Sequence, residues 1–231
     1  MSHTAIVLAG GLGTRLRSMV SDLPKPMAPV AGMPFLHYIF VYLQKQGVTR
    51  ALLSVGYKHE SIQDFLGDRY LGIEVLYSIE EEPLGTGGGI KRAFSLLQED
   101  VFILNGDTFF DVNLNSLKIF ADKKKSLLAL SLKSLIKFDR YGTVELDAKK
   151  RIVHFDEKKW CDEGLINGGV YFARKNLFDE VETPLKFSFE QEVLEKQVSK
   201  LFFHGYESDS YFIDIGIPED YQRAQQDFKK A

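Results

Sequence analysis

Three clusters of glycine and charge carry most of the chemical potential of this chain. The first is Leu8-Ala9-Gly10-Gly11-Leu12-Gly13-Thr14-Arg15, with three glycines in four positions. Such a loop lets the backbone approach a ligand closely and points successive amide N–H groups into one concavity, which suits a phosphate. Two common phosphate motifs do not fit. The dinucleotide fingerprint needs a third glycine where Leu16 stands, and the P-loop needs a Gly-Lys pair, which the sequence lacks. About ten residues on, Pro24-Lys25-Pro26 places a lysine between two prolines, which predicts a stiff extended segment aiming its charge. Arg15 or Lys25 alone reads equally well as an exposed basic residue in a turn. Together, after a first strand, they predict a phosphate site.

The second cluster is Pro83-Leu84-Gly85-Thr86-Gly87-Gly88-Gly89, a loop expected to lead into a helix. A lone glycine stretch is usually a turn, but four glycines in five positions exceed that need, and a helix N-terminus favours anions. The third pairs two aspartates far apart in sequence. Asp107 closes Asn105-Gly106-Asp107, where a turn aspartate is an equal alternative. Asp214 lies in the apolar run Tyr211-Phe212-Ile213-Asp214-Ile215-Gly216, where an unpaired carboxylate is costly to bury. It needs donors, a cation or a metal. Two aspartates at strand ends can hold Mg²⁺, which takes few carboxylates and completes its shell with water and phosphate oxygens.

These residues need a scaffold, and the first half of the chain supplies one. Thr4–Ala9, Ala51–Val55, Glu74–Ser78 and Val101–Asn105 read as strands; Pro34–Gln46, His59–Leu66 and Gly88–Leu97 read as helices. That alternation predicts βαβ units, a largely parallel sheet, and ligands beyond the carboxyl ends of the strands. After about residue 127 short strands follow with few helices, at Leu127–Leu132, Gly142–Leu146, Arg151–Phe155 and Gly168–Ala173. These predict a mixed or antiparallel extension of the same sheet. Ser188-x-x-Gln191 is a capping-box pattern opening a helix, and a strand at Tyr211–Asp214 and a helix from Pro218 close the chain. One domain over residues 1–231 is expected, with a first half to about residue 110 and a second from about 111.

Composition narrows the function. A net charge of −3 disfavours a nucleic-acid partner, which usually requires a basic excess. A single cysteine, Cys161, rules out internal disulfides and cysteine zinc sites, and the five histidines lack ligand spacing. No apolar run approaches the roughly 18 residues needed to span a bilayer, and Ala5–Ala9 is too short for a signal peptide. A cytoplasmic setting is the expectation.

The first loop followed by Pro24-Lys25-Pro26 resembles the signature of the sugar-1-phosphate nucleotidyltransferases, which make NDP-sugars. The resemblance implies a doubly wound, Rossmann-like α/β fold and a Mg²⁺ cofactor. It implies a nucleotide site of Leu8, Ala9, Gly10, Gly11, Gly13, Thr14, Arg15, Lys25, Gly85, Thr86, Gly87 and Asp107. Arg15, Lys25, Asp107 and Asp214 would be catalytic, and Asp107 and Asp214 would hold the metal. On the sugar side it implies Lys158 on the phosphate, with Tyr141, Gly142, Glu157, Asn167, Gly168 and Glu190 around the sugar. Asp156 to Lys159 could equally be a solvated charge cluster. Segments such as Phe138-Asp139-Arg140-Tyr141-Gly142-Thr143-Val144 and Gly164-Leu165-Ile166-Asn167-Gly168-Gly169 look like a branch using GTP and a heptose 1-phosphate. Another pyrophosphorylase using UTP or CTP, or a non-catalytic nucleotide-sugar sensor on the same fold, are the competing readings. A homodimer is compatible with the resemblance, although no apolar stripe selects an interface.

Overall fold

The computed structural model describes residues 3–11, 23–156 and 160–229. Strand β1 (His3–Leu8) is followed by a two-residue pair, β2 (Pro29–Val30) and β3 (Met33–Pro34). Helix α1 (Phe35–Lys45) then leads to β4 (Val48–Val55), and α2 (His59–Leu66) to the short β5 (Arg69–Tyr70) and β6 (Ile73–Ile79). Helix α3 (Gly85–Leu97) precedes β7 (Val101–Asn105). Strands β6, β4, β1 and β7 lie side by side in that order, all parallel. Residues 5–7 of β1 are fully buried on both faces, the continuous apolar reading expected of a central parallel strand.

Strand period two sorts the core into two layers. Ala5, Val7, Phe102 and Leu104 join one cluster with Phe35, Leu36, Ile39 and Phe40 of α1 and with Ile62 and Leu66 of α2. Ile6, Val101 and Ile103 point the other way, against Ile90, Ala93 and Phe94 of α3. Helices therefore cover both faces, and the doubly wound α/β class expected from the sequence is what forms.

The second half continues with β8 (Thr108–Phe110), α4 (Leu114–Lys124), β9 (Leu128–Phe138), β10 (Thr143–Leu146), β11 (Ile152–Asp156) and β12 (Cys161–Ala173). A π-helical turn at Glu190–Glu195, β13 (Phe203–Glu207), β14 (Phe212–Asp214) and α5 (Pro218–Asp227) complete it. Strand β12 is the seam. Its final residues pair antiparallel with β7, its middle pairs with β10, and β9 runs antiparallel along it. The mixed extension is thus present, with β9 and β12 longer than their apolar runs suggested. Helix α4 has an Asn113 cap accepting from the Ser116 amide at 2.8 Å, a start signal that the sequence reading passed over.

Three local expectations change. Lys25–Met27 is one turn of 3₁₀ helix, not an extended segment; only Pro24 is extended. Proline at both ends is compatible with this turn because Pro26 occupies an early position where no intrahelical N–H is needed. Gly85 to Gly89 form the first turns of α3 rather than a loop ahead of it. At Ser188 the expected cap bond is present but long, with the Gln191 amide donating to the hydroxyl at 3.4 Å while that hydroxyl donates to Glu190, and the turn it opens is π-helical rather than α-helical.

Candidate active site

The carboxyl end of β1 runs into Ala9 and Gly10, pinned to β4 by a hydrogen bond from the Ala9 amide to the Ser54 carbonyl at 2.8 Å. Beyond it, Gly11 is exposed, and a Cβ there would meet nothing within 4 Å, leaving its backbone open to a ligand. Gly13, Thr14 and Arg15 lie outside the described residues, as do Glu157 and Lys158, both expected to meet the sugar phosphate.

Beside β1, strand β7 ends in Asn105 and turns at Gly106. The Gly106 amide donates to the Leu8 carbonyl at 2.9 Å. A Cβ at Gly106 would lie 2.5 Å from that oxygen and 3.1 Å from Pro26 Cγ, so only glycine brings this turn onto β1 and the Pro24–Pro26 segment together. The result is local: Lys25 Nζ donates to Asp107 Oδ2 at 2.9 Å, with both side chains partly covered. Two distant sequence motifs meet at one ion pair.

Asp214 arrives from the other end of the chain. Strand β14 pairs antiparallel with β8, placing Asp214 opposite Thr108, and the Ile215 amide donates to the Asp107 carbonyl at 3.1 Å. The Gly216 amide donates to Asp214 Oδ1 at 2.7 Å. Burial pushes the Asp214 carboxyl above the usual carboxylate range, and the neighbouring Asp107 charge pushes the same way; the Gly216 amide, Lys25 and Arg140 oppose both. Two carboxylates brought together at a partly buried sheet edge, with a lysine ammonium already on one, have the donor chemistry a hard divalent cation requires. The residues present fit such an ion, although among the described residues no group of three or more ligating side chains gathers at one point.

Of the residues expected around a sugar, Tyr141 packs edge-on against Phe212, two residues before Asp214, with ring centroids 5.7 Å apart. Burial, then the Asp214 charge, pushes its phenol well up. Arg140 donates to the Tyr141 hydroxyl at 3.2 Å and pairs with Asp220 on α5, which also meets Arg223 at 3.3 Å. Arg140 is the residue that sequence reasoning missed. Its sign was an arginine beside the Tyr-Gly step, and nothing local showed that Asp220 and Asp214 would surround it.

Gly142 sits where a Cβ would approach the Asp156 carbonyl at 2.8 Å, so the Tyr141–Gly142 corner lies beside the residue preceding Glu157 and Lys158. Asn167 donates to the buried Tyr171 hydroxyl at 2.6 Å and accepts from the Gly169 amide at 3.1 Å. Gly168 faces the Phe110 ring, and a Cβ there would be 2.4 Å from it; at Gly169, with φ +73°, a Cβ would be 2.7 Å from Asn105 Nδ2. This irregular step in β12 therefore lays the Asn167 segment against the Asp107 turn.

The Gly85 segment differs most from expectation. Gly87 and Gly88 are buried, and Cβ atoms there would fall 2.1 Å from the Phe187 ring and 2.7 Å from the Leu185 carbonyl. Their lack of a Cβ lets residues 185–187 pack directly on α3. Gly85 and Thr86 remain exposed, and Thr86 Oγ1 donates to Glu190 Oε2 at 2.9 Å. The structure thus joins Lys25, Asp107 and Asp214 in one cluster. It sets Tyr141 at that cluster's edge and groups Asn167, Tyr171, Glu190 and Thr86 to one side.

Residues 4–231 match the nucleotidyl transferase family. The chain is 54% identical to a D-glycero-alpha-D-manno-heptose 1-phosphate guanylyltransferase of Aneurinibacillus thermoaerophilus, over 97% of this chain and 98% of that protein. It is 49% identical to the protein of the same name in Campylobacter jejuni, over 94% and 96%. Among solved structures, HddC from Yersinia pseudotuberculosis in complex with GMP-PN superposes with a TM-score of 0.85 at 38% identity, covering 98% of this chain and all of that one.

Proposed function

Because the chain belongs to the nucleotidyl transferase family, we propose that it transfers GMP from GTP to D-glycero-α-D-manno-heptose 1-phosphate, releasing pyrophosphate and GDP-heptose. The observation that carries the chemistry is the meeting of Lys25, Asp107 and Asp214 at the carboxyl edge of the parallel strands. The near-full-length likeness to two heptose 1-phosphate guanylyltransferases supports the substrates.

The acceptor phosphate is already an anion at neutral pH, so no general base is required. One of its oxygens attacks the α-phosphorus of GTP in line; the bond from that phosphorus to the bridging oxygen breaks, and pyrophosphate leaves with the electron pair. Catalysis is then positioning and charge stabilisation. The open backbone at Gly11, with Leu8, Ala9, Gly10 and the exposed Gly85–Thr86 segment, would border the nucleotide. Lys25, freed from Asp107 by an arriving phosphate, would hold the attacking group, with Lys158 beside it and Arg15 on the departing pyrophosphate. Tyr141, Gly142, Glu157, Asn167 and Glu190 would surround the sugar, while Gly87 and Gly168 shape the walls by letting Phe187 and Phe110 close in. Asp107 and Asp214 would hold Mg²⁺, which when bound offsets negative charge on the phosphate oxygens. The proposed setting is cytoplasmic; among the described residues no helix is long and apolar enough to cross a membrane.

The test is pyrophosphate release by purified protein with Mg²⁺ and D-glycero-α-D-manno-heptose 1-phosphate, offered GTP, ATP, UTP and CTP separately. Release with GTP alone is expected. Release only with another nucleotide overturns the base assignment, and none with any of the four overturns the acceptor.

A further inference from the structure

The Thr86 hydroxyl belongs to a segment that the sequence assigns to the nucleotide, yet every contact it makes leads to the sugar side. It accepts from the Phe189 amide at 2.9 Å. One lone pair is engaged there, and its single proton goes to Glu190 Oε2, also at 2.9 Å. The Ser188 hydroxyl donates to the same oxygen at 2.8 Å. Glu190 is half-buried, and two donors converging on one carboxylate oxygen fix its rotamer and satisfy that side of the group. Among the described residues Oε1 takes no partner.

The surrounding backbone makes this arrangement rigid. The Phe187 amide donates to the Leu84 carbonyl at 2.9 Å, and the Gly87 amide returns to the Phe187 carbonyl at 3.0 Å. The glycines of α3 let this strap lie directly on the helix, since a Cβ at Gly85 would stand 2.5 Å from the Phe187 carbonyl oxygen. Next to Glu190, Phe189 packs edge-on against Tyr171, with centroids 5.6 Å apart, and the Tyr171 hydroxyl accepts from Asn167. The carboxylate is therefore held beside Asn167, on the sugar side of the site.

We propose that Thr86, assisted by Ser188, is a positioning residue for the acceptor sugar: it orients Glu190 so that Oε1 remains the oxygen available to a sugar hydroxyl. This rests on the sugar role proposed for Glu190. Only the Thr86 side chain is involved, so the backbone of the same residue stays available to the nucleotide. A hydroxyl donor to a carboxylate is strong enough for its loss to be read in acceptor binding.

Steady-state pyrophosphate release, with each substrate varied at saturating concentrations of the other, tests this. Thr86→Val is expected to raise KM for the sugar phosphate about tenfold, with KM for GTP within about twofold of wild type. Thr86→Ser restores the hydroxyl and should return the sugar KM toward wild type, a rescue that a merely structural role would not give. Ser188→Ala should move the sugar KM in the same direction by less, and it carries the test alone if Thr86→Val does not fold. A raised GTP KM with an unchanged sugar KM, or an unchanged sugar KM in both variants, overturns the proposal. Wild-type protein is assayed first. If it uses a different sugar phosphate, the substrate assignment fails, and the same split is read with the acceptor it does use.

Discussion

The Asp107–Asp214 pair and the Thr86–Glu190 clasp each join segments more than a hundred residues apart, but they are built from different materials. The carboxylates are positioned by main chain: the β8–β14 ribbon, the Ile215 and Gly216 amides, and the Gly106 contact with Leu8. The clasp is positioned largely by side-chain hydroxyls. A centre set by backbone tolerates no added Cβ but needs few particular side chains around it. One set by hydroxyls can be retuned by single substitutions, which would suit the sugar-recognition role proposed for Glu190.

Removing the carboxylates themselves should give the largest effect. Asp107→Ala and Asp214→Ala are expected to reduce turnover by about 10³-fold or more, while circular dichroism reports a folded protein; near-normal activity in either would sink the metal assignment. Gly106→Ala breaks the same centre without touching a charge. Its methyl group would press on a carbonyl that cannot move aside, and we expect a Tm roughly 4–10 °C lower, with activity down about 100-fold. An unchanged Tm would mean that the turn relaxes freely.

Two glycines sharpen the contrast further. Gly87→Ala meets the Phe187 ring and is expected to destabilise by roughly 1–3 kcal/mol, measured by urea unfolding. Gly11→Ala meets open space, so its stability should stay within about 0.5 kcal/mol of wild type, and its effect should appear in KM for GTP. Equal effects from the two would erase the distinction between glycine kept for packing and glycine kept for a ligand.

The smallest expected effect is on pH dependence. Because the folded state raises the Asp214 pKa, protonated Asp214 favours folding. The cost of its buried charge is fully present above the folded pKa and is relieved as pH falls through it toward the unfolded value. Asp214→Asn should therefore be more thermostable than wild type at neutral pH, by roughly 2–4 °C per kcal/mol relieved. That gain should shrink as the solution is acidified below the raised pKa. A gain independent of pH would assign the effect to packing.

Legibility followed the range of the contacts. The boundaries of β7 and α2 agree with their apolar patterns to the residue, because a short buried strand and an amphipathic turn are set by local spacing. The two aspartates were also readable, Asp214 because a carboxylate in an apolar run demands an explanation. The full length of β12 was not. Its first residues, Cys161 to Gly164, are half-exposed or exposed and become strand only because β9 lies alongside. Arg140 escaped for the same reason, since its partner Asp220 is distant in sequence. Glycines mislead in a specific way: Gly85 to Gly89 look alike in sequence, yet Gly87 and Gly88 are covered by Phe187 and Leu185, Gly89 by Glu80 and Ser54, and Gly85 stays exposed.

The β8–β14 ribbon also fixes an order in time. A ribosome emits this chain from its amino end, typically at about 5–20 residues per second. The parallel strands β1, β4, β6 and β7 are all synthesised before β14 exists. Asp107 and its partner Lys25 are both made long before Asp214. The second carboxylate joins Asp107 only when residues 212–214 add themselves to β8. The carboxylate pair therefore depends on a contact between segments translated far apart in time, and a chain stopped before β14 would carry Asp107 without its partner carboxylate.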